Sequence, residues 1–349
     1  MKHIIYLTAF TLLLMTGCSK PSTAPVPEQI SGYIFFSQNV QTKASLIRDE
    51  KDLKDQTVGV VGFKYPSANE WSEYIQENPT ATPNVFYEDD RVTTTYSETL
   101  KCDEYGYGTY SPLQGWSNAK NYTFFAYYPT SLPLCNADGT IPYSGGVPSV
   151  KYSLDAESLK NSTMVDVMTA VPHKDLFQGS NVELEFNHCL SSLGMKINNL
   201  SEGQVTITSL TWTIGNVKYQ EIVIPLDGDV ENIIKTPGNY TFVLSSTVAY
   251  TTDFAVASKT NVEYPEKLIL IPQEGDNEEV EITFIMEYER TAYGLDEVEY
   301  QSNAVLKTKL VTGKKHLVHL KFTDVTVEID ESVSEEGWAA THNIENSFN

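Results

Sequence analysis

Short strand-like runs, some alternating apolar with polar and some almost continuously apolar, recur along most of the chain, at residues 33–36, 58–63, 122–128, 182–186, 193–197, 205–214 and 221–224, and again at 240–244, 267–271, 280–286, 304–311, 317–322 and 325–329. Successive side chains of an extended segment point to opposite faces, so each run predicts a strand with at least one buried face. Turn formers separate the runs, among them Asn136-Ala137-Asp138-Gly139, Pro237-Gly238-Asn239 and Glu274-Gly275-Asp276-Asn277. Proline presets φ there, glycine supplies positive φ, and Asn or Asp side chains bond their own backbone. No window keeps apolar residues at helical spacing through three turns, so no long helix is expected. The pattern predicts an all-β chain. Strands are sparse before Gly179 and closely spaced from Ser180 onward, which predicts two β-sandwich domains, 31–179 and 180–349.

The N-terminus reads differently. Met1-Lys2-His3 is a short positive segment, and the apolar run from Ile4 to Met15 is too short to span a bilayer. Met15-Thr16-Gly17-Cys18 follows it and resembles a bacterial lipobox, with Met15 where Leu is commoner. Residues 1–17 are therefore expected to be a lipoprotein signal peptide, with Cys18 the lipidation site. Residues 18–30 are proline-rich, lack apolar periodicity and read as a flexible tether. Export leaves Cys102, Cys135 and Cys189 in an oxidising compartment without a C-x-x-C pair. Cys102 and Cys135 flank a Tyr-rich segment, and spacing alone leaves a bridge between them open. Cys189 lies in an apolar pattern and reads as a small buried hydrophobe.

Charge narrows the function classes. Forty-six acidic against 24 basic residues give a formal net charge of -22, a field that repels phosphate backbones, and no basic stripe offsets it. Nucleic acid is excluded as a partner. Hydrolase, phosphate-loop and dinucleotide motifs are missing, and His316 and His319, three apart on a strand, fall on opposite faces and cannot share a metal. No enzymatic activity, cofactor or metal is expected. The acidic runs Glu88-Asp89-Asp90 and 274–279 read as solvated loops. Trp71, Tyr105, Tyr107 and Tyr110 either pack inside or form a platform for sugar faces, so a glycan-binding surface lipoprotein is the alternative function.

Several local patterns together resemble the fimbrillin family, the type V pilins and related lipoproteins of Gram-negative bacteria. They are Tyr33-Ile34-Phe35-Phe36-Ser37 with Gln41-Thr42-Lys43-Ala44, the run Val58-Gly59-Val60-Val61-Gly62-Phe63, and Tyr110-Ser111-Pro112-Leu113 with Trp116 and Tyr122-Thr123-Phe124-Phe125-Ala126-Tyr127-Tyr128-Pro129. Asp166-Val167-Met168-Thr169-Ala170, Phe186-Asn187-His188 and Leu270-Ile271-Pro272-Gln273 complete the set. The resemblance implies two transthyretin-like β-sandwich domains and assembly by strand exchange at the cell surface. A lipoprotein precursor, held at the outer membrane through the lipid on Cys18, loses its first strand to an arginine-specific protease, and another subunit's C-terminal strand fills the groove. Carried onto this chain, the removable first strand contains Tyr33, Ile34, Phe35 and Phe36. Arg48, in the polar stretch before Asp49-Glu50-Lys51-Asp52, is the processing site. Val325, Val327 and Ile329 form the candidate donor strand. The partners implied are other fimbrial subunits and a receptor on a host or bacterial surface. A non-polymerising fimbrial anchor, keeping Cys18 lipidated and the first strand in place, is the variant within the class.

Overall fold

A computed structural model describes residues 32–40, 54–86, 96–103, 107–154, 164–227, 234–245, 254–263, 268–276, 278–291 and 298–333. The described residues are nearly all strand. In chain order they are β1 (Phe36–Val40), β2 (Thr57–Pro66), β3 (Glu98–Cys102), β4 (Tyr107–Thr109), β5 (Lys120–Tyr128), β6 (Leu134–Cys135), β7 (Ser149–Ser153), β8 (Met168–Ala170), β9 (His173–Leu176) and β10 (Val182–His188). Then follow β11 (Ser191–Asn199), β12 (Gln204–Pro225), β13 (Ile234–Ser245), β14 (Phe254–Val256), β15 (Thr260–Glu263), β16 (Leu268–Leu270), β17 (Val280–Thr291), β18 (Val298–Thr308), β19 (Lys315–Phe322) and β20 (Val327–Val333). The all-β expectation holds.

An eight-stranded sheet takes the order β2-β3-β4-β1-β10-β8-β5-β9, and β5 also pairs with β2, so seven of its strands close into a ring with β9 appended. Inside the ring lies an aromatic cluster of Ile34, Phe36, Val58, Val60, Phe86, Leu100, Tyr110, Trp116, Tyr122, Phe124 and Phe186 with their neighbours. Opposite faces of β2 and β5 feed a second cluster through Val61, Phe63, Tyr65, Phe125 and Tyr127. Strands buried on both faces need apolar residues at consecutive positions, which is why these two segments read as continuous apolar runs.

The other described strands form two further sheets. One runs β15-β11-β19-β20, with β16 also on β11; the other runs β18-β17-β12-β7-β6, with β13 and β14 on β12. Their inner faces share one apolar cluster, in which Leu193, Met195, Val318, Leu320 and Phe322 meet Ile214, Ile282, Phe284 and Met286. β10, which follows Gly179, belongs to the ring through its pairing with β1 and β8. The chain changes sheet at Cys189-Leu190, between β10 and β11.

Among the described residues one short helix, α1 (Trp71–Glu77), interrupts the β pattern. Its N-cap, Glu70, makes no side-chain cap; Asp175 substitutes from a distance. The Asp175 carboxylate accepts the Trp71 N–H at 2.7 Å and the Tyr65 hydroxyl at 2.7 Å. Desolvation, with the Asp175 carboxylate adding to it, drives the Tyr65 phenol well above the usual range. Trp71 is buried against Phe63, 4.9 Å between ring centroids. Two turns capped from 104 residues away leave no local signal in the sequence.

Candidate functional site

The first strand is one stave of the ring. It runs parallel to β10 through five residue pairs, Phe36↔Val182 to Val40↔Phe186, and antiparallel to β4 through Phe36↔Gly108 and Ser37↔Tyr107. The segment before it is tied in by backbone as well: the Ile34 N–H reaches Gln114 O at 2.9 Å, and the Ile34 carbonyl accepts the Tyr110 hydroxyl at 2.9 Å. Ile34 and Phe36 point into the ring and are fully buried, while Tyr33 is exposed and Phe35 half-buried. The Phe36 ring meets Phe124 edge-on at 5.2 Å and Tyr110 at 5.8 Å, with Phe86 at 6.3 Å. Burying these two side chains contributes about 3–6 kcal/mol before ordering costs. Two residues on, the next inward position is polar: Gln38, also buried.

The candidate donor occupies the other end of the chain. Among the described residues β20 is the terminal strand of its sheet, pairing antiparallel with β19 from Phe322↔Val327 to His316↔Val333. Val327 and Ile329 are partly covered by the apolar cluster, and Val325 stands before the strand almost fully exposed. Polar side chains fasten β20 to β19 and β18. His316 Nε2 accepts the Val311 N–H at 3.0 Å, so Nδ1 carries the ring hydrogen and donates it to Glu331 at 2.8 Å. The Thr308 hydroxyl donates to the same carboxylate oxygen at 2.8 Å. On the opposite face of β19, His319 contacts Ser332 at 2.8 Å and Asn198 at 3.2 Å, and Lys321 bonds Asp330 at 3.1 Å. The two histidines do face opposite ways, His316 inward and His319 half-buried outward.

This fastening is acid-sensitive. Desolvation, helped by the Lys196 charge, holds His319 below its ordinary 6.5, while Asp330 lies below 3.8 because the Glu331 N–H and Lys321 bond its carboxylate. A depressed histidine favours the folded state above about pH 6.5, and that contribution is lost as pH falls through its folded pKa; a depressed aspartate loses its contribution only below about 3.8. Hydrogen exchange of β20 amides, corrected for intrinsic rates, is expected to be faster at pH 5 than at pH 7.5. His319→Gln should flatten that dependence, and protection that increases on acidification would refute the linkage.

The remaining sequence-derived positions are quickly placed. Cys18 and Arg48 lie outside the described residues, as do Tyr105, Arg91 and residues 88–90. The third arginine, Arg290, is an inward, buried side chain of β17 with its guanidinium 5.3 Å from the Tyr288 ring. Cys102, Cys135 and Cys189 are free and buried, so the bridge left open between the first two is not formed. Burial pushes the Cys102 thiol up to about 12 and those of Cys135 and Cys189 up to about 11, which keeps them protonated and poor nucleophiles. Trp71 and Tyr110 are core residues and cannot belong to an exposed sugar platform. In the 274–279 run, Glu274 accepts the Thr312 N–H and Glu278 accepts the Gly275 N–H. No group of three potential metal ligands occurs among the described residues.

Sequence reasoning passed over three features: Gln38, the Glu331 anchor of β20, and a pair at the sheet crossing. There His188 Nδ1 lies 3.1 and 3.0 Å from the two oxygens of Asp166, with both side chains essentially inaccessible to water. A polar residue at an inward strand position is the signal common to all three.

The model of the fimbrillin-like family matches residues 72–338, most of the chain. The chain belongs to the fimbrillin-like family. Solved structures of the same fold accompany this fimbrillin-like match. A fimbrial protein from Bacteroides vulgatus superposes with a TM-score of 0.61 at 17% identity, covering 87% of this chain and 99% of that one. A candidate cell adhesion protein from Bacteroides ovatus gives 0.51 at 14% identity, covering 89% and 99%. No curated protein sequence matches.

Proposed function

We propose that this fimbrillin-like protein is a structural subunit of a surface fimbria that supports cell adhesion and polymerises by strand exchange between two-sandwich subunits of the transthyretin-like kind. The observation that carries the reading is the placement of β1. An N-terminal strand seals a closed ring, paired with β10 along its length and with β4 at Phe36 and Ser37, and a chain cut between β1 and β2 separates it from the strands it pairs with. Loss of β1 leaves β4 and β10 with unpaired N–H and C=O groups above an apolar floor, which a strand from another subunit satisfies.

The parts follow in order. Cys18 carries the lipid that brings the precursor to the outer membrane. An arginine-specific protease cuts after Arg48, and the burial of Arg290 supports the choice by removing one of the three arginines from reach. Val325, Val327 and Ile329 of a neighbouring subunit then enter the groove, and other fimbrial subunits are the partners of the polymer. A host or bacterial surface receptor is the target of the assembled fibre.

Mass spectrometry of surface-extracted protein tests this. An N-terminus at Asp49 in heat-labile oligomers is the expected result. Acylated Cys18 on a chain that stays monomeric would assign the protein to the anchor instead, and affinity for a polysaccharide without any oligomer would favour the glycan-binding alternative.

A further inference from the structure

Gln38 is the third inward side chain of the first strand, after Ile34 and Phe36, and the one that does not match its surroundings. It is 5% exposed, and neither Nε2 nor Oε1 makes a hydrogen bond to a described residue. The neighbouring strand is shaped around it. A Cβ on Gly108 of β4 would stand 2.5 Å from Gln38 Nε2 and 3.0 Å from the Leu100 side chain, so the missing side chain of Gly108 forms a notch that admits a long residue. The polar group beside it is the Cys102 thiol, too weak a donor and acceptor to satisfy either amide atom. The notch is therefore shaped to hold Gln38 but does not satisfy its amide. A buried amide without a partner costs stability that an apolar side chain of equal length does not.

We infer that this notch decides which strand holds the groove between β4 and β10: a strand of a second copy that brings an apolar side chain to it binds the groove more tightly than β1, whose amide is left unpaired there. The inference rests on the strand-exchange reading above and adds to it the position at which strands are discriminated. The second copy's C-terminal strand has the required chemistry. Its alternating apolar series is Val325, Val327 and Ile329, with an aliphatic residue in third place where β1 has an amide. In its own chain that series is only partly used, because Val325 is 87% exposed and Val327 and Ile329 are incompletely covered.

Hydrogen exchange by mass spectrometry on the full chain tests the notch, comparing wild type with Gln38→Met, which keeps the length and removes the amide, and with Gln38→Glu, which adds charge. Peptides over residues 33–40 are expected to exchange about tenfold more slowly in Gln38→Met and faster in Gln38→Glu, with β17 peptides unchanged. A residue that only packed would leave the rate unchanged in Gln38→Met, so exchange at or above the wild-type rate overturns the inference. A second arm cuts the chain with an arginine-specific protease and follows departure of the fragment carrying β1 and uptake of a labelled synthetic peptide of residues 323–333. Both should slow about tenfold in Gln38→Met, and equal rates in the two proteins refute the notch. Failure to cut at Arg48 would count against the processing reading alone, since exchange in the uncut chain still decides the role of Gln38.

Discussion

Phe36→Ala is expected to lower the unfolding free energy of the full chain by about 3–5 kcal/mol, the range for deleting a buried phenylalanine ring. The ring has no exposure to speak of and touches Phe124, Tyr110 and Phe86 in edge-on or tilted geometry, so its loss leaves a cavity with three aromatic walls rather than a site that can collapse. Urea titration of full-length protein measures it, and the m-value should stay constant because the rest of the ring is retained. The control is Phe35→Ala on the same strand. Phe35 faces outward and is half-buried, so its truncation should cost about 1 kcal/mol. Equal costs for the two variants would mean that β1 is not seated as described.

His188→Ala should be the other large effect, about 3–5 kcal/mol, because it strands the Asp166 carboxylate inside the protein. Both partners are essentially inaccessible and sit where the chain leaves the ring for the next sheet, with the Cys189 N–H bonded to the Val167 carbonyl at 2.8 Å alongside. Asp166→Asn keeps a hydrogen-bond acceptor for the imidazole and should cost less, about 1–2 kcal/mol. Thermal unfolding of the two variants under identical buffer conditions makes the comparison. A His188→Ala protein as stable as Asp166→Asn would show that the carboxylate finds another partner and that the pair is dispensable.

The strands that the sequence displays best are those with one wet face or with two dry ones. β17 alternates from Val280 to Arg290 almost without error, and β5 from Tyr122 to Tyr128 is an apolar and aromatic run interrupted only by Thr123, because both faces are covered. Short strands such as β4, β6 and β8 escape a pattern search, since two or three residues hold no period. At the ends the limits shift for physical reasons. The apolar run at 33–36 enters the ring two residues before regular pairing begins, and at the other end Val325 belongs to a turn closed by Thr323 and Thr326, which starts β20 at Val327. Residues 205–214 and 221–224 read as two strands and are one, β12, because Gly215 and Asn216 bend the strand without ending it. Asn216 has φ of 58°, a conformation that Asn tolerates. The groove was legible in its apolar residues and illegible in its polar one. A glutamine looks like an outward residue by type, yet Gln38 shares the face of Ile34 and Phe36, and its burial shows that it points in.

The closure of the ring has a geometric corollary. Neighbouring strands lie about 4.8 Å apart, so with β1 removed its two former neighbours face each other across about 10 Å. An α-helix with its side chains is about 10–12 Å across and has already spent its backbone hydrogen bonds on itself. A ring emptied of β1 would act as a gauge: a single extended chain would fit between β4 and β10 and be gripped on both sides, and a thicker or self-satisfied element would be turned away.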